Sequence, residues 1–204
     1  MAAVPKLWPG STIICLGTGP SLTQADVNLC RGRARVIAVK DAIRLAPWAD
    51  VLYSGEIKWW RKYGTKLQFE GLKYGIEDCD KNQAAAWAPL LKQTGMTGLE
   101  RDPGGLRTGK NSGYQAINLA MHFGAARIVL LGYDLQVRHG QTHFFGDHPW
   151  SAQPMFADFR PLYDTLVKPL AQLGIEIVNA SAETALTCFP RASLADVLPE
   201  AVAA

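Results

Sequence analysis

The stretch STIICLGTGPSL, residues 11–22, decides the fold: it is a short apolar run that stops at two glycines, a proline and a serine. This pattern predicts a buried strand that feeds a tight turn and then a helix that begins near Ser21. Gly17 and Gly19 permit a positive φ or a close approach to a ligand, and the first N–H groups of a helix are donors at its positive dipole end. The turn therefore suits a phosphate, although a sharp strand-to-helix corner without a ligand explains the same residues equally well.

Composition is that of an ordinary globular protein. The chain has 204 residues, of which 48% are hydrophobic and 19% are charged, and this fits a single domain over residues 1–204. Its apolar runs are too short for a signal-peptide core or a membrane span, so we expect a cytoplasmic protein. The four cysteines include no C-x-x-C pair, which favours buried free thiols over a zinc knuckle or a disulfide framework.

The charge is mildly positive, with a formal net charge of +3 and several basic residues concentrated in the N-terminal half. This distribution suits a phosphorylated ligand, whereas nucleic-acid-binding modules usually show a denser basic face. Nucleic acid is therefore the less favoured partner, and the sequence leaves homo-oligomer formation open. The basic residues concerned are Arg31, Arg33, Arg35, Lys58, Arg61, Lys62 and Lys66.

Apolar strands alternate with helical patterns along the chain, which indicates β-α-β winding. We therefore predict an α/β protein with a Rossmann-like three-layer α/β/α architecture and a mostly parallel sheet. After the first strand, further strands are predicted at 35–40, 50–54, 72–74, 128–131 and 175–179. Helices are predicted at 22–30, 83–91, from Asn111 or Ser112 to Gly124, at 155–173 and, in short form, after Ser193.

Two loops and one aromatic pair carry further predictions. The Gly-rich, charged segment near 95–111 is typical of a flexible loop that covers a ligand. The segment near 139–150 is rich in histidine. Of the adjacent Trp59 and Trp60, one is predicted to pack in the core and the other to line a cleft or a subunit contact, although packing in the core is the safer interpretation.

Catalytic candidates follow the strand at 128–131. Asp134 comes directly after it, where open α/β sheets bind ligands, although a helix cap or loop acceptor is an equal alternative. His143 and His148 are candidates for a general acid or base, since imidazole titrates near neutral pH. A metal site from His139, His143, Asp147 and His148 is a weaker alternative, as is a loop merely ordered by surface histidines.

Two motifs together resemble known families. GTGPSL near the start and RTGKNSGYQAINLAMHFGAARIVLLGYDL, residues 107–135, resemble blocks of the bacterial sialyltransferases of the campylobacter type. They also resemble the domain of archaeal 6-hydroxymethylpterin diphosphokinases and its bacterial and phage relatives. The closing pattern, a strand ending in Asn followed by TALTCFPRASL, looks most like the small phage-encoded members, whose location would be the host cytoplasm.

The resemblance implies a Rossmann-like fold in which nucleotide phosphates lie over Gly17, Gly19, Pro20 and Ser21. It places Ser112 and Gly113 at the donor-nucleotide site and matches Asp134 to the family aspartate. The chain also departs from the sialyltransferase pattern. Lys40 stands where those enzymes have an asparagine that holds the donor, their loop tyrosines have no clear match, and His143 or His148 would have to replace their catalytic histidine.

Three functions remain open from the sequence. In a glycosyltransferase-like enzyme with a nucleotide-activated donor, His143 or His148 deprotonates an acceptor hydroxyl while Lys40 stabilises the departing phosphate. In an ATP-dependent diphosphokinase, Mg²⁺ bridges the phosphates and Asp134 or Asp147 helps to hold it. A phage protein that captures a nucleotide without turnover is the third. No cofactor is implied beyond this Mg²⁺.

Overall fold

The structure is a computed structural model that describes residues 2–77, 83–147 and 155–200. The strands of this part are β1 (Thr12–Leu16), β2 (Arg35–Val39), β3 (Val51–Tyr53), β4 (Leu72–Ile76), β5 (Leu90–Gln93), β6 (Gly105–Leu106), β7 (Arg127–Leu131) and β8 (Glu176–Asn179). The helices are α1 (Gln24–Cys30), α2 (Ile57–Tyr63), α3 (Ser112–Phe123), α4 (Phe156–Gln172) and α5 (Leu194–Val197), with 3₁₀ turns at Lys40–Arg44 and Gln83–Ala86.

The strands of the described residues form one eight-stranded sheet in the order β6-β5-β4-β3-β2-β1-β7-β8. Every pairing between neighbours is parallel, and the register joins Ile14 of β1 to Val36 of β2 and to Val129 of β7. The predicted α/β class with a Rossmann-like sheet is confirmed. Successive strands extend the sheet on one side of β1 as far as β6, and the chain then returns to place β7 on the other side.

Helices cover both faces of this sheet. Ile13 and Cys15 of β1 belong to a core shared with α3 and α4, whereas Ile14 and Leu16 belong to a core shared with α1, α2 and α5. Successive strand side chains point to opposite faces, so an unbroken apolar strand is what two covered faces require. Each fully buried aliphatic side chain contributes roughly 1.5–3 kcal/mol relative to exposure.

The helix predicted after residue 110 forms with the expected ends. The side chain of Asn111 caps α3 by accepting a hydrogen bond from the Tyr114 N–H at 2.9 Å. Gly124 ends the helix with a φ of 100°, a conformation that suits glycine. By contrast, the first helix begins later than predicted: Thr23 is the cap of α1, and Ser21 lies in the turn before it.

Trp59 and Trp60 confirm the safer interpretation, since both side chains are only 1% exposed and pack in the same core. The alternative, with one of them at a cleft or a subunit contact, is wrong. Each indole N–H finds a buried acceptor. That of Trp59 donates to the Asp41 carboxylate at 2.7 Å, and that of Trp60 donates to the Ser54 carbonyl at 2.9 Å. Because both indole N–H groups have acceptors, the two rings, which pack edge to face, can be fully buried.

The alanine-rich helix predicted over residues 83–91 is also wrong. A 3₁₀ turn occupies Gln83–Ala86, and the chain then enters β5, whose Leu90 and Leu91 pair with Gly75 and Ile76 of β4. Strand pairing and burial of Leu91 outweigh the helical propensity of the alanines, which is a weak preference. Pro89 also disfavours a helical conformation in the residue before it.

The segment near 95–111 is anchored along its length and contains β6. The Asn118 side chain accepts a hydrogen bond from the Glu100 N–H at 2.8 Å, and the Tyr114 hydroxyl donates to the Gly98 carbonyl at 2.9 Å. His122 of α3 bonds to the Gly105 carbonyl at 2.9 Å, and burial lowers the pKa of this imidazole. Most of the segment therefore packs on α3, and its end, Lys110 and Asn111, borders the cavity described below.

Cys15 and Cys30 are buried free thiols, as predicted, and Cys188 is a half-buried one. Burial raises the pKa of each of these thiols to about 12, so they are poor nucleophiles at neutral pH. Cys79 lies outside the described residues. Within the described ranges, no helix combines the length and apolar character needed to cross a bilayer.

Candidate functional site

A cavity of about 590 Å³ lies at the carboxyl ends of β1, β2, β3 and β7. The helix after β1 packs on one face of the sheet and the helix after β7 packs on the other. Such a switch point is where open α/β sheets bind ligands, and the volume is that of an ordinary small-molecule site. Residues that border it include Gly17, Thr18, Gly19, Lys40, Glu56, Lys58, Lys110, Asn111, Ser112, Gly113, Tyr133, Asp134, His143, Phe156 and Phe159.

The glycine turn after β1 is bonded to the last residue of β7 and to the residue that follows it. The N–H groups of Gly17 and Gly19 donate to the carbonyls of Leu131 and Gly132, both at 2.8 Å. Neither glycine has a positive φ, and a Cβ at Gly17 would lie 2.4 Å from the Gly132 carbonyl oxygen. The glycines are thus required by the close approach of two protein segments, and their N–H groups are already used.

Asp134 completes this contact. It is 1% exposed, and its carboxylate accepts hydrogen bonds from the backbone N–H and the hydroxyl of Ser21, both at 2.7 Å. Burial raises the pKa of the Asp134 carboxyl above its usual value, and the bonds from Ser21 partly offset that rise. Asp134 borders the cavity, and its bonds make it the acceptor that fixes the turn, which is the loop-acceptor alternative.

The hydrogen-bond donors without a protein acceptor lie elsewhere in the cavity wall. In the turn of residues 17–21, the N–H of Thr18 has no acceptor in the described part of the chain. Pro20, in the same turn, has no N–H. The N–H groups of Ser112 and Gly113 in the first turn of α3 likewise have no acceptor among the described residues. The Ser112 hydroxyl accepts a hydrogen bond from the Gly55 N–H at 3.1 Å.

Three lysines border the cavity. The Lys40 ammonium lies 2.5 Å from a carboxylate oxygen of Glu56, and both side chains are half-buried. Lys58 and Lys110 have no carboxylate partner among the described residues. Lys40 and Lys110 have φ values of 51° and 59°, which are uncommon for residues with side chains and often occur at functional sites. The local charge therefore favours an anionic ligand.

Glu56, Lys58, Lys110 and Thr18 were missed as site residues from the sequence. One signal could have found Glu56: like Lys40 and Asp134, it closely follows a core strand, and carboxyl ends of parallel strands meet at one sheet edge. Lys110 directly precedes the cap of α3. Lys58 lies on α2, and nothing in the sequence distinguishes it from other lysines.

The histidine loop meets the glycine turn through His143. Its Nδ1 lies 2.9 Å from the Thr18 hydroxyl oxygen, and the imidazole borders the cavity. His139 is exposed and does not border the cavity, and Asp147 accepts a hydrogen bond from the Thr142 hydroxyl. His148 lies outside the described residues, and across the described ranges no three His, Cys, Asp or Glu residues cluster as metal ligands would.

Part of the cavity wall is apolar. It is formed by Leu135 after β7 and by the start of α4, where Phe156 and Phe159 are partly buried. The lining therefore combines cationic and apolar side chains, which suits a ligand that carries an anionic group and a ring system.

Comparison with family models gave no match, and no curated protein matches the sequence. The structure is similar to that of the MAf glycosyltransferase from Magnetospirillum magneticum AMB-1, with a TM-score of 0.67 and 14% sequence identity. The match covers 98% of this chain but only 37% of that chain. This likeness shows a shared fold, and the resemblance to sialyltransferases and pterin diphosphokinases stays a prediction.

Proposed function

We propose that this chain is a nucleotide-dependent transferase, of glycosyltransferase-like type, that uses a nucleotide-activated donor. The observation that carries the proposal is the cavity at the switch point, whose lysines Lys40, Lys58 and Lys110 outnumber its carboxylates. The shared fold with a glycosyltransferase supports the same reaction class.

The donor phosphate is proposed to lie between the Lys40 ammonium and the N–H groups of Thr18, Ser112 and Gly113. An ammonium and helix-terminal N–H groups stabilise the charge that develops on a phosphate as it leaves. This position replaces the one expected over Gly17, Gly19, Pro20 and Ser21, because the N–H groups of that turn bond to Leu131, Gly132 and Asp134. Those residues instead fix the turn that contains Thr18.

His143 is the proposed general base, since it borders the same cavity and its ring is held by Thr18. It takes the proton of an acceptor hydroxyl as the oxygen attacks the sugar carbon of the donor. His148 remains an alternative base, and it lies outside the described residues. Asp134 is proposed to act on the turn rather than on the substrate.

The diphosphokinase alternative gains no support from the carboxylates predicted to hold Mg²⁺. Both oxygens of Asp134 accept hydrogen bonds from Ser21, and Asp147 accepts one from Thr142. Engaged in these hydrogen bonds, the two carboxylates do not fit a Mg²⁺ site. Turnover that requires both a nucleoside triphosphate and Mg²⁺ would nevertheless favour that alternative.

A turnover assay of His143→Ala tests the transferase. Release of nucleotide from a panel of nucleotide sugars, with hydroxyl acceptors present, is expected to fall by roughly 10²- to 10⁴-fold, the usual contribution of acid–base catalysis. Nucleotide binding should persist. His139→Asn is the matched control, because His139 lies in the same loop, is exposed and has a φ of 47° that asparagine tolerates.

Two results would contradict this reading. Unchanged turnover in His143→Ala would remove His143 from the chemistry. Nucleotide binding by the wild-type protein, without turnover of any donor, would instead favour the capture of a nucleotide by a non-catalytic protein.

A further inference from the structure

Thr18 lies where the turn after β1 meets the histidine loop, two segments that are 125 residues apart in the chain. Its hydroxyl oxygen is 2.9 Å from Nδ1 of His143, and its carbonyl accepts a hydrogen bond from the Phe144 N–H at 3.0 Å. The imidazole also stacks on Phe145, with ring centroids 5.1 Å apart and planes 4° from parallel. Both the edge and the face of the imidazole are therefore held.

The direction of the Thr18–His143 hydrogen bond decides which nitrogen can act as a base. A neutral imidazole carries one N–H and one lone pair, on different nitrogens. If Nδ1–H donates to the Thr18 oxygen, the lone pair is on Nε2. If the Thr18 hydroxyl donates to Nδ1, Nε2 carries the hydrogen and cannot accept a proton. Only the first arrangement suits a general base at Nε2.

We propose that Thr18 is a positioning residue that accepts the Nδ1–H of His143 and so holds the Nε2 lone pair for the acceptor hydroxyl. The Thr18 hydroxyl makes no other hydrogen bond within the described ranges, and Thr18 borders the cavity. Its own hydroxyl hydrogen is thus left for a ligand oxygen. This inference rests on the proposed function, since it assigns a partner to the proposed base.

The step balances without a further reactant. The acceptor O–H proton moves to Nε2, and the oxygen electron pair forms the bond to the sugar carbon of the nucleotide-activated donor. The bond from that carbon to the phosphate oxygen breaks, and its electrons leave with the phosphate. The imidazolium that results keeps its Nδ1–H bond to Thr18, which stabilises the positive charge.

The tautomer of His143 can be measured in the protein alone by long-range ¹H–¹⁵N NMR, at a pH where the ring is neutral and with the signal assigned by its loss in His143→Gln. The wild-type protein is expected to carry the hydrogen on Nδ1. Thr18→Val, which keeps the shape but removes the hydroxyl, should shift the hydrogen to Nε2. Thr18→Ser restores the hydroxyl and should restore the Nδ1–H form.

The turnover rate should depend on which nitrogen of His143 carries the hydrogen. Thr18→Val is expected to lower kcat about tenfold or more, a part of the contribution of the base itself, and Thr18→Ser should recover most of this loss. A hydrogen on Nε2 in the wild-type protein, or a Thr18→Val variant with the wild-type tautomer and kcat, would overturn the inference. The wild-type spectrum alone tests the inference that Nδ1 of His143 carries the hydrogen, even if Thr18→Val does not fold.

The proposed function can fail separately. If no nucleotide sugar is turned over by the wild-type protein while the tautomers behave as expected, the transferase proposal and the catalytic use of Nε2 both fall. The hydrogen bond from Nδ1–H to Thr18 would stand in that case.

Discussion

Gly19→Ala is expected to lower the free energy of unfolding by more than about 3 kcal/mol, the upper range of overpacking effects. A Cβ at this position would lie 2.2 Å from Oδ1 of Asp134 and 2.7 Å from the Gly132 carbonyl oxygen. Neither atom can withdraw easily, because Asp134 is bonded twice to Ser21 and the Gly132 carbonyl accepts the Gly19 N–H. Equilibrium unfolding in urea measures the loss.

Gly104→Ala is the control for this variant. A Cβ at Gly104 would have Oδ1 of Asp102, an exposed side chain, as its nearest neighbour at 3.3 Å. The expected loss is at most about 1 kcal/mol, as for most surface substitutions. Equal losses in the two variants would show that the contact between the glycine turn and Asp134 is not the reason for glycine at position 19.

Lys40→Met is expected to raise the Kd for a nucleoside phosphate about 10- to 100-fold, which corresponds to about 1.4–2.8 kcal/mol. A hydrogen bond between two charged groups is worth about this much. Methionine removes the charge from a stem of similar length, and it meets the same steric cost as lysine at a φ of 51°. Isothermal titration calorimetry measures both Kd values.

Glu56 complicates that comparison, since its carboxylate lies 2.5 Å from the Lys40 ammonium in the unliganded protein. Glu56→Gln is therefore expected to bind the nucleotide more tightly, because the amide does not repel the phosphate. The double variant separates the two effects by a double-mutant cycle. Lys168→Met, an exposed change on α4, controls for net charge, and a Kd in Lys40→Met no higher than in this control would exclude Lys40 from the site.

The sheet and its main helices could be predicted because each depends on local patterns. Buried parallel strands are continuous apolar runs, as in β1 and β7. The ends of α3 carry Asn111 and Gly124, a capping side chain and a residue that tolerates positive φ. Asp134 lies beside the cavity, since residues after a core strand fall at the carboxyl edge of the sheet.

The rest depends on contacts between distant segments, which local patterns do not contain. The N–H groups of Gly17 and Gly19 looked available for a ligand, but their acceptors are Leu131, the last residue of β7, and Gly132, which follows it. The burial of the Trp59 indole depends on Asp41, which is 18 residues away in the chain and accepts the indole N–H. The partnership of Thr18 with His143 likewise spans most of the chain.

Amide chemical-shift mapping during titration with nucleoside mono- and diphosphates tests the central claim, that the cavity at the switch point binds a nucleotide phosphate. The predicted result is saturable shifts of the Thr18, Ser112 and Gly113 amides, whose N–H groups have no protein acceptor in the described part of the chain. Amides of α5, which does not border the cavity, should stay unchanged. Saturable binding with shifts centred elsewhere, or no shift with any nucleotide, would contradict the claim.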